Sequence, residues 1–83
     1  MAYVLYGTSA CHLCELAQQV IVEVATKVSM DVYLEDISES DTLVEQYGTR
    51  IPVLKEEHSG RELNWPFNHS ELFAWLNLRD STS

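Results

Sequence analysis

A chain of 83 residues has room for one domain, which buries only about 60% of the surface its unfolded form exposes, and a 46% hydrophobic content with three glycines and two prolines excludes a collagen-like or linker-like polymer. Thirteen acidic residues against five basic ones leave a formal charge of −8, which disfavours nucleic acid and anionic membrane surfaces as partners, because affinity there rests on neutralised phosphates. Two cysteines are too few for the disulfide framework of a small secreted domain, no charged and then apolar leader pattern is present, and no apolar run approaches the ~20 residues of a membrane helix, so a soluble cytoplasmic protein is expected.

Residues 2–6, Ala-Tyr-Val-Leu-Tyr, carry the aromatic and β-branched content of a strand, and Gly7-Thr8-Ser9 then supplies turn and helix-capping groups. Leu13, Leu16, Ala17, Val20, Ile21, Val24, Ala25 and Val28 recur at three- and four-residue steps, which predicts a helix with one continuous apolar stripe. A second strand is expected over Val32–Ile37, completing a βαβ unit with the usual right-handed crossover. Ser38, with Asp41 three residues on, would open a short helix through Leu43, Val44 and Tyr47, closed by Gly48 in a left-handed cap.

Ile51-Pro52-Val53-Leu54 reads as a third strand, Lys55 to Gly60 as a polar turn, and Arg61 to Trp65 as an antiparallel edge strand that completes a hairpin. Asn68 and Glu71 have the spacing of a capping box, with Phe67 and Leu72 as its hydrophobic staple, so a last helix should run through Phe73, Trp75, Leu76 and Leu78. The expected organisation is a single domain over 1–79 and a frayed tail over 80–83. The order β-α-β, connecting helix, β-β-α suits a four-stranded mixed sheet with helices on both faces.

The chemistry is concentrated in Cys11-His12-Leu13-Cys14, the only two cysteines of the chain, one helical turn apart at a strand-to-helix junction. Such a pair can close into a small disulfide and reopen by thiol exchange. At a helix start, Cys11 would sit near unpaired backbone N–H groups and the positive end of the helix dipole, both of which favour thiolate. Cys14, a turn further in, would be more buried and suited to resolving a mixed disulfide. His12 is read as a solvent-exposed tuning residue. Packing of the cysteines as small buried hydrophobes is the bland alternative. Structural zinc would need four ligands, and His58 and His69 form no second compact pair with them; no metal site is assigned. Pro52 inside a strand calls for a reason: a cis Ile51–Pro52 bond is one, and an ordinary trans proline opening the strand is the plainer one.

The strand, the C-H-L-C at a helix start, the βαβ unit, the Gly-Thr-Arg-Ile-Pro-Val-Leu segment about forty residues downstream and the final hairpin and helix together resemble the glutaredoxin-like proteins of the thioredoxin superfamily, over nearly the whole chain. The resemblance implies an α/β thioredoxin-like fold, a cis Pro52 facing the dithiol, Cys11 as nucleophile, Cys14 as resolving thiol and Ile51 as backbone partner of a bound thiol. Arg50 becomes a candidate clamp for a substrate carboxylate. Trp65 is a candidate wall beside the dithiol, with anchoring of the last helix as its simpler use. The implied function is thiol-disulfide exchange on a disulfide-containing protein or a low-molecular-weight thiol, by a monomer with no resident cofactor and with glutathione as a candidate co-substrate. The alternatives are a non-catalytic binding module on the same fold and a metal or iron–sulfur carrier.

Overall fold

Alternation along the first strand sorts the side chains into two layers. Tyr3 and Leu5 of β1 (Ala2–Gly7) are buried against one set of helices, while Tyr6 packs into a separate apolar cluster on the opposite side. The computed structural model describes residues 2–81, with side chains through Leu76. After β1 come α1 (His12–Ala25), β2 (Asp31–Asp36), a 3-10 turn over Ile37–Glu39, α2 (Asp41–Tyr47), β3 (Val53–Glu56), β4 (Glu62–Asn64) and α3 (His69–Ser81).

The sheet has four strands in the order β2-β1-β3-β4. β1 runs parallel to β2, with Leu5 beside Leu34, and antiparallel to β3, with Leu5 beside Leu54; β3 pairs antiparallel with β4. The parallel pair needs a crossover, and α1 supplies it. Ala17, Ile21 and Val24 of α1 join Tyr3, Leu5, Leu54, Phe67, Leu72, Trp75 and Leu76 in the larger core, so α1 and α3 cover one face. On the other face Ile37, Tyr47 and Val53 form a smaller cluster, flanked by Tyr6, Leu43 and Ile51, under α2. This is an α/β fold with a mixed sheet and helices on both faces, as the element order implies.

Several boundaries differ from the sequence-based expectation, each for a local reason. Cys11 itself, rather than Thr8 or Ser9, caps α1. Ser40, not Ser38, caps α2, its hydroxyl accepting the Leu43 N–H at 3.3 Å, because Asp36 has already engaged Ser38 in the 3-10 turn, where its carboxylate accepts the Ser38 N–H at 2.9 Å. Gly48 does close α2 but with φ −53°, so no left-handed cap forms; a Cβ there would lie 2.5 Å from the Val44 carbonyl oxygen, and that close approach accounts for the glycine. Gly60, at φ 79°, is where the hairpin uses the left-handed region.

β3 starts at Val53 because Pro52 has no N–H and the Ile51 N–H bonds to the Tyr47 carbonyl at 3.0 Å. It runs on to Glu56, since Lys55 and Glu56 pair with Val4 and Tyr3, so Lys55 belongs to the strand rather than to the turn. Ala25 of the expected stripe is exposed. The capping box of α3 forms reciprocally: Asn68 Oδ1 accepts the Glu71 N–H at 2.8 Å, and Glu71 Oε1 accepts the Asn68 N–H at 3.1 Å. That helix continues through Ser81, so the backbone at 80–81 is helical, and the rest of the expected tail lies outside the described residues. An ion pair between His69 and Glu23 ties α3 to α1.

Candidate redox site

Cys11 adopts an extended conformation, φ −101° and ψ 108°, which turns its sulfur back over the first turn of α1. There the sulfur accepts the Cys14 N–H at 3.1 Å. A cap that accepts a backbone hydrogen bond is better as an anion, and the helix dipole acts in the same sense, so this position favours thiolate when the pair is reduced. Cys11 and Cys14 are joined as a disulfide with Cα atoms 5.2 Å apart. Cys11 is half-buried, whereas Cys14 is only 2% exposed. The two sulfurs are therefore unequal in access.

Gly7, the last residue of β1, is the neighbour that lets Cys14 sit so deep. A Cβ built on Gly7 would lie 2.7 Å from the Cys14 sulfur and 3.2 Å from its Cβ. By residue type Gly7 reads only as part of a turn; its position at a strand end a few residues before a C-x-x-C is the signal that identifies it.

Pro52 reaches the same end of the sheet through register. Tyr6 pairs with Val53, so Gly7 and Pro52, the next residues outward on each strand, lie at the same end of the β1–β3 ladder. Ile51–Pro52 and Trp65–Pro66 are both cis peptide bonds. The Trp65 N–H donates to the Pro52 carbonyl at 3.2 Å, which places the end of β4 beside the same spot. Trp65 is half-buried and packs against the larger core, its ring meeting Phe67 edge-on at 5.1 Å, so anchoring is a role it visibly has.

His12 is exposed and pairs with Glu15 at 3.5 Å. Arg50 does not project as an unpaired cation: its guanidinium bonds Glu62 at 3.1 Å and lies 4.9 Å over the Tyr47 ring. Tyr47 also donates to Glu62 at 2.7 Å and stacks on Tyr6 at 4.3 Å. The Tyr47 hydroxyl, helped by Arg50, holds the Glu62 carboxyl below its usual range, while burial and the Glu62 bond push the Tyr47 phenol up to about 12. Glu62 lies 12 residues from Arg50 and 15 from Tyr47 and the three carry no motif, so sequence spacing does not reveal this Arg50–Glu62–Tyr47 group.

An open cavity of about 220 Å³ adjoins the dithiol on the β2 side, with Leu5, Gly7, Cys14, Leu34 and Asp36 in its wall. Among the described residues no three His, Cys, Asp or Glu side chains converge as a metal-binding group.

A βαβ unit with a dithiol at the first helix start, a reversed hairpin behind it and a cis proline at the same sheet end defines the thioredoxin-fold class of proteins. Residues 3–77 match the family model described as "Glutaredoxin-like domain (DUF836)", and the chain belongs to that family. Two structures of the target protein XcR50 from X. campestris are similar: the X-ray structure has 34% identity and a TM-score of 0.81, covering 92% of this chain and 96% of that one. Protein Ne2328 from Nitrosomonas europaea has 25% identity and a TM-score of 0.77, covering 89% of this chain and 88% of that one. Thioredoxin 1 from Thermosipho africanus TCF52B shares the fold at 17% identity and a TM-score of 0.71, with both chains covered in full. Among curated proteins no match is found. No helix among the described residues is long and apolar enough to cross a membrane.

Proposed function

We propose that the protein exchanges disulfides through the Cys11/Cys14 dithiol, acting as a monomer in a reducing compartment on a disulfide-containing protein or a low-molecular-weight thiol. The observation that carries the reading is the inequality of the two sulfurs: Cys11 caps α1 and is half-exposed, and Cys14 is buried one turn behind it. The Cys11 thiolate attacks one sulfur of the substrate disulfide, forming a mixed disulfide and releasing one thiolate. Cys14 then attacks the Cys11 sulfur and releases the second. Two electrons pass from the dithiol to the substrate, and the pair closes as Cys11–Cys14. With the Ile51 N–H bonded to Tyr47, the Ile51 carbonyl is the group that would accept a substrate amide.

The test is to equilibrate the protein across glutathione redox buffers, quench with acid, alkylate and weigh the intact chain. A reversible two-electron internal disulfide with one defined potential is expected, together with a mixed disulfide on Cys11 that accumulates in Cys14→Ser. Cysteines that stay unmodified across the whole series would sink the proposal. A binding module is the second reading, favoured by Tyr33 and Leu34, which stand 59% and 64% exposed on the edge strand β2; partner binding that survives Cys11→Ser would support it.

A further inference from the structure

Glu62 stands on β4, across the ladder from Lys55 of β3, so the hairpin fixes its backbone. Each of its carboxylate oxygens has a partner from the connection between α2 and β3. Oε2 accepts the Tyr47 hydroxyl at 2.7 Å, and Oε1 accepts the Arg50 guanidinium at 3.1 Å. The two partners also meet each other, because the Arg50 guanidinium lies 4.9 Å over the Tyr47 ring.

These ties bracket the Ile51–Pro52 segment. Tyr47 ends α2, and its carbonyl accepts the Arg50 N–H at 2.8 Å and the Ile51 N–H at 3.0 Å. Its buried ring stacks on Tyr6 of β1 at 4.3 Å, in the smaller core that Ile51 flanks. Past Ile51, the Pro52 carbonyl accepts the Trp65 N–H at 3.2 Å. The same arm of the hairpin therefore holds the connection on both sides of Ile51, through the Glu62 carboxylate before it and the Trp65 amide after it. Residues 48–52 form turns and bends rather than helix or strand, so these ties, and not a ladder of their own, fix their course.

We infer that Glu62 is a positioning residue for exchange: by holding Tyr47 and Arg50 to the hairpin it sets the Ile51 carbonyl in place for a backbone N–H of the substrate, and so favours peptide disulfides over disulfides without amides. This builds on the exchange reading above and narrows its substrates to cysteines within a polypeptide backbone. An acceptor that is ordered before docking spares the substrate the cost of ordering it, and it holds the disulfide in one orientation for attack. The chemistry remains that of the exchange step: one peptide disulfide and the protein dithiol give two peptide thiols and the Cys11–Cys14 disulfide. Glu62 acts through Tyr47 and Arg50 and takes no part in bond making.

The experiment uses the whole reduced chain and three uncharged probes. They are the disulfide-linked dimer of an acetylated and amidated cysteine tripeptide, its analogue with ester oxygens in place of the backbone N–H groups flanking cysteine, and 2-hydroxyethyl disulfide. Each second-order rate is divided by that of the same probe with 2-mercaptoethanol, which removes intrinsic reactivity, and the amide-to-ester and amide-to-hydroxyethyl ratios are read. In the unaltered protein both ratios are expected to reach about 3 to 10, the worth of one net hydrogen bond. Glu62→Ala is expected to bring both toward one. Arg50→Gln, at a side chain 42% exposed, should fold and shift them the same way. Val24→Ala, which trims a buried side chain of the larger core at the far end of α1, should lower stability and leave both ratios as they are.

Ratios near one in the unaltered protein, ratios that persist in Glu62→Ala, or an equal fall in Val24→Ala overturns the inference and leaves the exchange reading standing. If Glu62→Ala does not fold, Arg50→Gln decides by the same ratios. No acceleration of any probe over 2-mercaptoethanol removes both readings.

Discussion

At the scale of single residues, Gly7 and Cys14 behave as one unit. The strand ends on a residue without a side chain because the Cys14 sulfur occupies the place where one would be. Gly7→Ala is expected to destabilise the fold by about 1–3 kcal/mol, the usual range for overpacking a filled site, and to shift the fraction of Cys11–Cys14 disulfide in redox buffers; urea midpoints and intact mass read the two effects separately. The Tyr47–Glu62 bond sets a pH window. Glu62 has its folded value below the ordinary 4.5, so its stabilisation is present above that value and is lost as pH falls through the lowered one. Tyr47 has its folded value raised from 10.0 to about 12, so its contribution is present below pH 10 and is lost as pH rises toward 12. Urea midpoints followed with pH should fall at both limits, the acid limb flattening in Glu62→Gln, and phenolate absorbance should lose a late-titrating component in Tyr47→Phe.

At the scale of elements, short helices depend on their ends. α2 has seven residues, too few to persist in water without help. Ser40 caps it, and the 3-10 turn before it delivers Ile37 to the smaller core. The reciprocal capping box of α3 performs the same service where Phe67 and Leu72 enter the larger core. Asn68→Ala leaves the Glu71 N–H without its acceptor and is expected to cost about 1 kcal/mol; a urea titration with an unchanged slope would show it as a pure stability effect. β2 is exposed along most of its length and carries Asp31, Glu35 and Asp36, charges of a kind that discourage pairing of an edge strand with other chains.

At the scale of the whole molecule, stability resides in the larger core between the sheet and the α1–α3 layer. Leu72 is completely buried there, and Leu72→Ala should cost about 2–5 kcal/mol. Val22, on the same helical layer but 63% exposed, is the contrasting site, and Val22→Ala should stay within about 0.5 kcal/mol. Denaturant midpoints of the two variants test the assignment. The same architecture brings the ends of β1 and β4 and the start of β3 to one end of the sheet, where the Trp65 N–H bonds the Pro52 carbonyl and Gly7 packs against Cys14.

The sequence by itself determined the element order, the mixed sheet, the helix stripe, the α3 capping box and the dithiol with its unequal sulfurs. Each of these depends on neighbours within one turn or one ladder step, where residue type and spacing carry the physics. Where local signals competed, as between Ser38 and Ser40 or at the start of β3, the outcome turned on hydrogen bonds already claimed by Asp36 and Tyr47. Only the tertiary structure decided that Arg50 is bound to Glu62, that Gly7 makes room for Cys14 and that Asp36 and Cys14 line one cavity. Those pairings join residues on different elements through strand register and helix packing, and the register comes from the burial of the whole set of apolar side chains at once.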